Sequence, residues 1–231
     1  MDGNAQKVIG KETGSARPPA HELIYRKLRE QILFGEIAPG QPVTIQGLTE
    51  RLEAGMTPVR EAIRRLIAEG ALDFQGNRRV IVPLLTAENI AEIIYARQWL
   101  ESDLGARATQ RATSADLADL TRLDAALDQA ISRGDLQGYL EYNYRFHARI
   151  YQMADAPILA SMAEGLWLRF GPSLRVVCGR LGTQNLPDLH KDLLAAMRAG
   201  DAEAAARACQ QDMLQGMEQV RGVLTPNGAS D

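Results

Sequence analysis

The stretch 55-GMTPVREAIRRLIAEGAL-72 decides the fold of the N-terminal third of the chain. Val59, Ala62, Ile63, Leu66 and Ile67 recur at steps of three and four, the spacing that gathers side chains on one stripe of an α-helix. With that stripe buried, Thr57, Arg60, Glu61, Arg64 and Arg65 point outward. Thr57 as N-cap and Pro58 at the first helical position predict a sharp start. Upstream, Ile24, Leu28 and Ile32, with Tyr25 alongside, predict a helix that begins at Ala20 and stops at Gly35. Thr44 caps a short second helix holding Leu48 and Leu52, and a brief connection from Glu53 to Met56 leads into the third. Downstream, ALDFQ and RVIVP are short β-prone runs separated by Gly76, Asn77 and Arg78, a hairpin pattern. Helix, helix, turn, helix and hairpin together predict a winged helix-turn-helix over residues 20–84.

A chain of 231 residues with 45% hydrophobic content has ample material for one large or two modest cores. Its formal net charge of −3 means that any polyanion-binding surface is a local patch. The two cysteines, Cys178 and Cys209, lie in apolar helical contexts without CxxC spacing, and no apolar run is long enough for a membrane span. No signal peptide and no membrane partner are expected, and the cytoplasm is the expected compartment. Residues 1–19 are polar and closed by two prolines, which predicts a disordered arm; 222–231 read as a flexible tail.

After Pro83 the β-prone runs disappear. Amphipathic helices are predicted at about 87–111, 115–133, 136–154, 157–171, 173–181, 187–199 and 202–221, with a Thr113-x-x-Asp116 capping box before the second. Their short connections put neighbours antiparallel, so residues 86–221 are expected to form an all-α antiparallel bundle and the whole chain to be mainly α.

The outward arginines of the third helix suit a DNA major groove, where a guanidinium forks onto a guanine edge or binds phosphate. Arg78 and Arg79 fall at the predicted wing tip. Thr57, Arg60, Arg64, Arg65, Arg78 and Arg79 are therefore the candidate DNA-contacting set, against the plainer reading of a solvated Arg/Glu face. "LTERLEAGMTPVREAIRRLIAEGAL", with "GEIAPGQPV" before it and "GNRRVIVP" after it, resembles the winged helix of GntR-family bacterial transcription regulators. Gly55 and Met56 stand where many relatives carry Ser-Arg, Glu53 where a turn glycine is frequent, and Arg79 where a wing glycine is frequent. One winged helix contacts few base pairs, so a homodimer on an inverted repeat of double-stranded operator DNA is expected.

The predicted bundle carries polar residues on apolar stripes. Arg97 shares its stripe with Ile90, Ile93, Leu100 and Leu104, and burying it requires a carboxylate such as Glu101 or an anionic ligand. Asn143 and His147 are four apart on a face with Leu140, Phe146 and Ile150. His190 faces inward with Leu193, Leu194 and Met197, and Asp212 lies beside Cys209, Met213 and Gly216. Such residues are either satisfied core groups or ligands converging on a divalent metal. Trp167 and Arg169, in "LWLRFGP", read as pocket wall or packing.

From about residue 86 to 221 the chain resembles the FCD domain of the FadR subfamily within the GntR regulators, through "RQWLES", "NYRFH" and "LHKDLLAAMRAGDAEAA". Metal-binding FCD domains commonly place Asp four before a histidine, a second histidine before the "GD" turn and a third in the last helix. By position these fall at Asn143, His147, His190 and Asp212, with Asn and Asp replacing an Asp and a His. The resemblance implies Zn²⁺, Ni²⁺ or Mn²⁺ at those four residues and no organic cofactor. A small carboxylate effector met by Arg97, Asn143 and Arg169 is expected and, as in related regulators, repression relieved when it binds. The rival expectation is a metal-dependent hydrolase or lyase using His147, His190 and Asp212; a protein-interaction module is a third.

Overall fold

Helix α1 (Ala20–Leu33) buries Tyr25, Leu28 and Ile32 against the apolar stripe of α3 (Met56–Ala68), where Val59, Ala62, Ile63 and Leu66 are buried and Ile67 sits half-covered at the margin. The computed structural model describes residues 19–76, 79–182 and 189–224. Between the two helices lie β1 (Val43–Thr44) and α2 (Ile45–Arg51), whose N-cap Thr44 accepts from the Gly47 amide at 2.9 Å. Strands β2 (Asp73–Phe74) and β3 (Arg79–Ile81) complete a small antiparallel sheet of order β1-β3-β2. Phe74 faces Val80, and Val80 also faces Val43, so one buried valine seals the sheet onto the helices.

Two local expectations are corrected here. Gly55, not Thr57, caps α3, which starts at Met56 and puts Pro58 at its third position. Amides of a first helical turn have no intrahelical acceptor, so a proline there forfeits no bond. Glu53 takes a left-handed conformation at φ +50°, the geometry usually given to glycine in such a turn, at a cost of about 1–2 kcal/mol.

The remaining elements are helices α4 (Ala87–Arg111), α5 (Ser114–Arg133), α6 (Leu136–Met153), α7 (Pro157–Leu181), α8 (His190–Ala199) and α9 (Ala202–Leu224). Reciprocal caps start α4 (Thr86 with Asn89) and α5 (Thr113 with Asp116). Gly134 and Gly200, both left-handed, end α5 and α8 and reverse the chain into α6 and α9. The long helices α4 and α9 lie along each other, close enough that a Cβ on Gly105 would meet Cys209 Sγ at 2.5 Å.

The expected break between 171 and 173 is absent: α7 runs unbroken through Pro172. An internal proline costs about 3 kcal/mol. Burial of the whole turn from Phe170 to Leu174 holds the helix together across it. Helix α8 begins at His190, and residues 187 and 188 of the helix expected from 187 lie outside the described residues. Helix α9 continues to Leu224, into the expected tail; the remainder of that tail and residues 1–18 of the expected arm lie outside the described residues.

The winged region seats on α7. A Cβ on Gly171 would stand 2.6 Å from the Leu33 carbonyl oxygen, so only glycine permits this approach. Arg175 donates to the Phe34 carbonyl at 3.3 Å and to Gln137 Oε1 at 2.7 Å, and the Phe34 ring meets Tyr144 edge-on at 6.0 Å.

Candidate metal centre

Three helices deliver one donor each to a common point. His147 comes from α6, His190 is the first residue of α8, and Asp212 comes from α9; one ligand atom of each lies within 4.8 Å of the others. His147 Nε2 is 3.1 Å from Asp212 Oδ2, and His190 Nε2 is 3.8 Å from Asp212 Oδ1. Both imidazoles are buried. The ring of Phe146 stacks on His190 with centroids 3.9 Å apart and planes 10° from parallel. The far side of each imidazole faces a buried acid: His147 Nδ1 is 3.8 Å from Glu101 Oε2, and His190 Nδ1 is 3.5 Å from Asp124 Oδ1.

The charges fit a divalent cation. One guanidinium, Arg97, accompanies three carboxylates, Glu101, Asp124 and Asp212, leaving two negative charges when both imidazoles are neutral. Burial alone would push the Asp212 carboxyl up, but His190, His147 and Arg97 outweigh it and hold it at about 2. The cluster thus favours Asp212 as the anion, the form a metal ligand must take. Two imidazoles and a carboxylate suit Zn²⁺, Ni²⁺ or Mn²⁺. Carboxylates behind metal-binding histidines are the common supporting arrangement. Burial, Glu101 and Asp212 together push the Cys209 thiol well up, so it stays protonated and outside the donor set.

The donors open onto a cavity that Asn143, Arg97, Trp167 and Phe170 also line. Arg97 Nε donates to Glu101 Oε1 at 2.5 Å, and its guanidinium lies 4.1 Å from the Phe170 centroid and 5.0 Å from that of Trp167. The carboxylate partner required by the sequence is therefore present, and the arginine still borders the cavity. Trp167 is buried, with its indole N–H donated to the Tyr151 hydroxyl at 2.9 Å. Arg169 is elsewhere: it is exposed, packs on Gly70, and borders a separate cleft between the winged region and α4. Asp124 was not singled out by the sequence reading. Its place among Leu120, Leu123 and Leu127 on α5 is the same polar-on-apolar pattern that marked Arg97.

On the winged region Thr57, Arg60, Arg64 and Arg79 are exposed. Arg60 has no partner among the described residues, and Arg64 pairs only with neighbouring Glu61 at 2.7 Å. Arg65 is exposed too, but its guanidinium is engaged within the winged region, 3.5 Å over the Tyr25 ring, 2.9 Å from Glu22 and 3.1 Å from Glu69. It clamps α1 to α3. Arg78 lies outside the described residues.

A winged helix-turn-helix joined to a helical bundle with a buried His-His-Asp cluster defines a DNA-binding regulator with a ligand-receiving domain. The chain belongs to the gntR family of bacterial regulatory proteins, whose model matches residues 20–82, and carries an FCD domain matching residues 92–215. It is similar to the HTH-type transcriptional regulator McbR of Escherichia coli (strain K12), 34% identical over 81% of this chain and 86% of the relative. The HTH-type transcriptional repressor RspR of the same organism is 26% identical over 90% of this chain and 92% of its own. Among solved structures, E. coli McbR/YncC superposes with a TM-score of 0.84 at 30% identity, covering 90% of this chain and 99% of that one. This is a family of transcriptional regulators, which sets aside the hydrolase or lyase reading. No described helix is long and apolar enough to cross a membrane.

Proposed function

We propose that the protein is a homodimeric repressor, acting on operator DNA in the cytoplasm, whose helical domain binds a divalent metal and a small carboxylate effector that lowers operator affinity. The observation that carries the reading is the meeting of His147, His190 and Asp212 in a cavity bordered by Arg97. A Zn²⁺, Ni²⁺ or Mn²⁺ ion held by those three residues, with Asn143 beside them, supplies a Lewis-acidic centre for the effector carboxylate. Arg97 offers its remaining N–H groups to the same carboxylate, while Phe170 and Trp167 exclude water behind it. Release of the operator requires that the effector bind the DNA-free arrangement of the dimer more tightly than the DNA-bound one.

Arg60 and Arg64 carry the DNA reading, with the exposed Thr57 and Arg79 as further candidates. Arg60→Ala is expected to weaken binding to the DNA flanking the protein's own gene by about 1–3 kcal/mol in a gel shift, with the fold intact by circular dichroism. A folded Arg60→Ala/Arg64→Ala double variant with unchanged affinity is the result that removes the assignment.

The dimer reading is supported by exposed apolar side chains on two helices. Tyr95 and Trp99, one turn apart on α4, are 68% and 64% exposed, and Ile158 and Met162 on the adjoining α7 are 78% and 54% exposed. Large apolar side chains left exposed in this way are candidates for an association site. Trp99→Lys combined with Met162→Lys is expected to turn the dimer into a monomer in sedimentation velocity and to shrink the footprint to one half-site. A double variant that sediments as the wild type counts against this site.

A further inference from the structure

Asp124 has no part in the metal reading as drawn from the sequence, yet its carboxylate faces the back of His190. It is 5% exposed, on the buried stripe of α5, and its Oδ1 has no hydrogen-bond partner among the described residues. The polar atom that Oδ1 approaches is His190 Nδ1, at 3.5 Å. We propose that Asp124 is a positioning residue: it holds the His190 proton on Nδ1 and so turns a lone pair on Nε2 toward Asp212 and the metal point. The inference rests on the metal reading only for its purpose; the tautomer it asserts is a property of the metal-free protein.

Two constraints are needed to aim an imidazole, and the structure supplies both. Stacking on Phe146 sets the plane of the His190 ring. It leaves open which edge faces which way, since a half-turn of the ring keeps the same stack. Asp124 decides this, because its Oδ1 is the buried acceptor still lacking a donor and is satisfied only when Nδ1 carries hydrogen, whereas the Asp212 carboxylate on the other edge already faces His147 Nε2 at 3.1 Å. The nitrogen left without a proton is then Nε2, the atom 3.8 Å from Asp212 Oδ1. Partners behind a metal-binding histidine fix its tautomer in this way, and their removal weakens metal binding about 10–100-fold. Asp128, one turn further along α5, supplies the matched control. It pairs with Lys191, on the same α8, at 3.1 Å, but at the surface and away from both rings.

The test uses the full chain, metal-free and labelled with ¹⁵N histidine, read by long-range ¹H–¹⁵N correlation, followed by Ni²⁺ titration against a competing chelator. In the wild type and in Asp128→Asn, His190 is expected as the Nδ1–H tautomer, with equal Ni²⁺ affinity. In Asp124→Leu, which continues the leucine stripe, the signal moves to the Nε2–H form and Ni²⁺ affinity falls about 10–100-fold. In Asp124→Asn, whose amide can accept or donate, the signal becomes a mixture. A wild-type tautomer spectrum in both Asp124 variants overturns the proposal, as does wild-type Ni²⁺ affinity in both. Wild-type protein that takes up no Ni²⁺ overturns the metal reading alone, and the tautomer spectra then decide the role of Asp124.

Discussion

Arg97→Met is expected to destabilise the protein by about 3–5 kcal/mol in denaturant unfolding, the loss typical of removing one partner from a buried ion pair. Methionine preserves most of the volume and the contact with Phe170, so the cost comes from what remains. Glu101 is 1% exposed, bonded to Arg97 at 2.5 Å and close to the Asp212 side of the cluster through His147. Without the guanidinium, a buried carboxylate loses its counter-charge in the presence of two others. The double variant Arg97→Met/Glu101→Leu removes both charges and is expected to recover most of the lost stability. If Arg97→Met alone costs less than about 1 kcal/mol, the pair is not the electrostatic keystone of α4 and the stability of that region lies in packing.

Asp212→Ala is expected to weaken metal binding by more than about 100-fold, beyond the 10–100-fold typical of supporting partners. It deletes the one carboxylate of the three-donor set and leaves two imidazoles in a site that has lost one negative charge. Asn143→Ala removes a neutral amide and should cost less. The measurement is chelator competition with Zn²⁺, Ni²⁺ and Mn²⁺, alongside thermal unfolding. Metal at 100 times its Kd adds about 2.7 kcal/mol to the stability of the wild type and should add little to Asp212→Ala. Wild-type protein purified without chelator that holds no stoichiometric metal, and gains no thermal stability from any of the three ions, removes the metal reading. The same residues would then serve as a hydrogen-bonding pocket for the effector.

Features with local causes were legible in the sequence. The apolar stripe of α3 follows from helical periodicity alone, and the Thr113–Asp116 cap from two side chains three residues apart. The inward placement of His147, His190 and Asp212 was readable for the same reason, since each sits on an apolar face of its own helix. What escaped depends on contacts between distant segments. Pro172 is locally a helix breaker and is overruled by burial on the neighbouring helices. Arg65 looks outward by periodicity but bends back over Tyr25, whose hydroxyl also donates to Glu69 at 2.9 Å. Arg169 is only two residues from Trp167, yet that separation places it on another side of α7 and out of the cavity. Asp124 carried the same mark as Arg97 on its stripe, but its meaning depends on α8 arriving opposite, which no local pattern states.

The unbroken helix α7 also gives the molecule a mechanical character. Trp167 touches His147, at 5.4 Å between ring centroids, and Tyr144, at 5.5 Å, while Gly171, four residues on, is the seat of the winged region against Leu33. The two stations are separated by about one helical turn, roughly 6 Å of rise. Directly after them comes Pro172, which lacks the N–H that the Leu168 carbonyl would otherwise receive, and helices bend most readily where such a bond is missing. Load and compliance thus share one stretch of rod. The indole at the cavity wall and the seat of the winged region thus stand one turn apart on a single helix, beside the residue where that helix yields most easily.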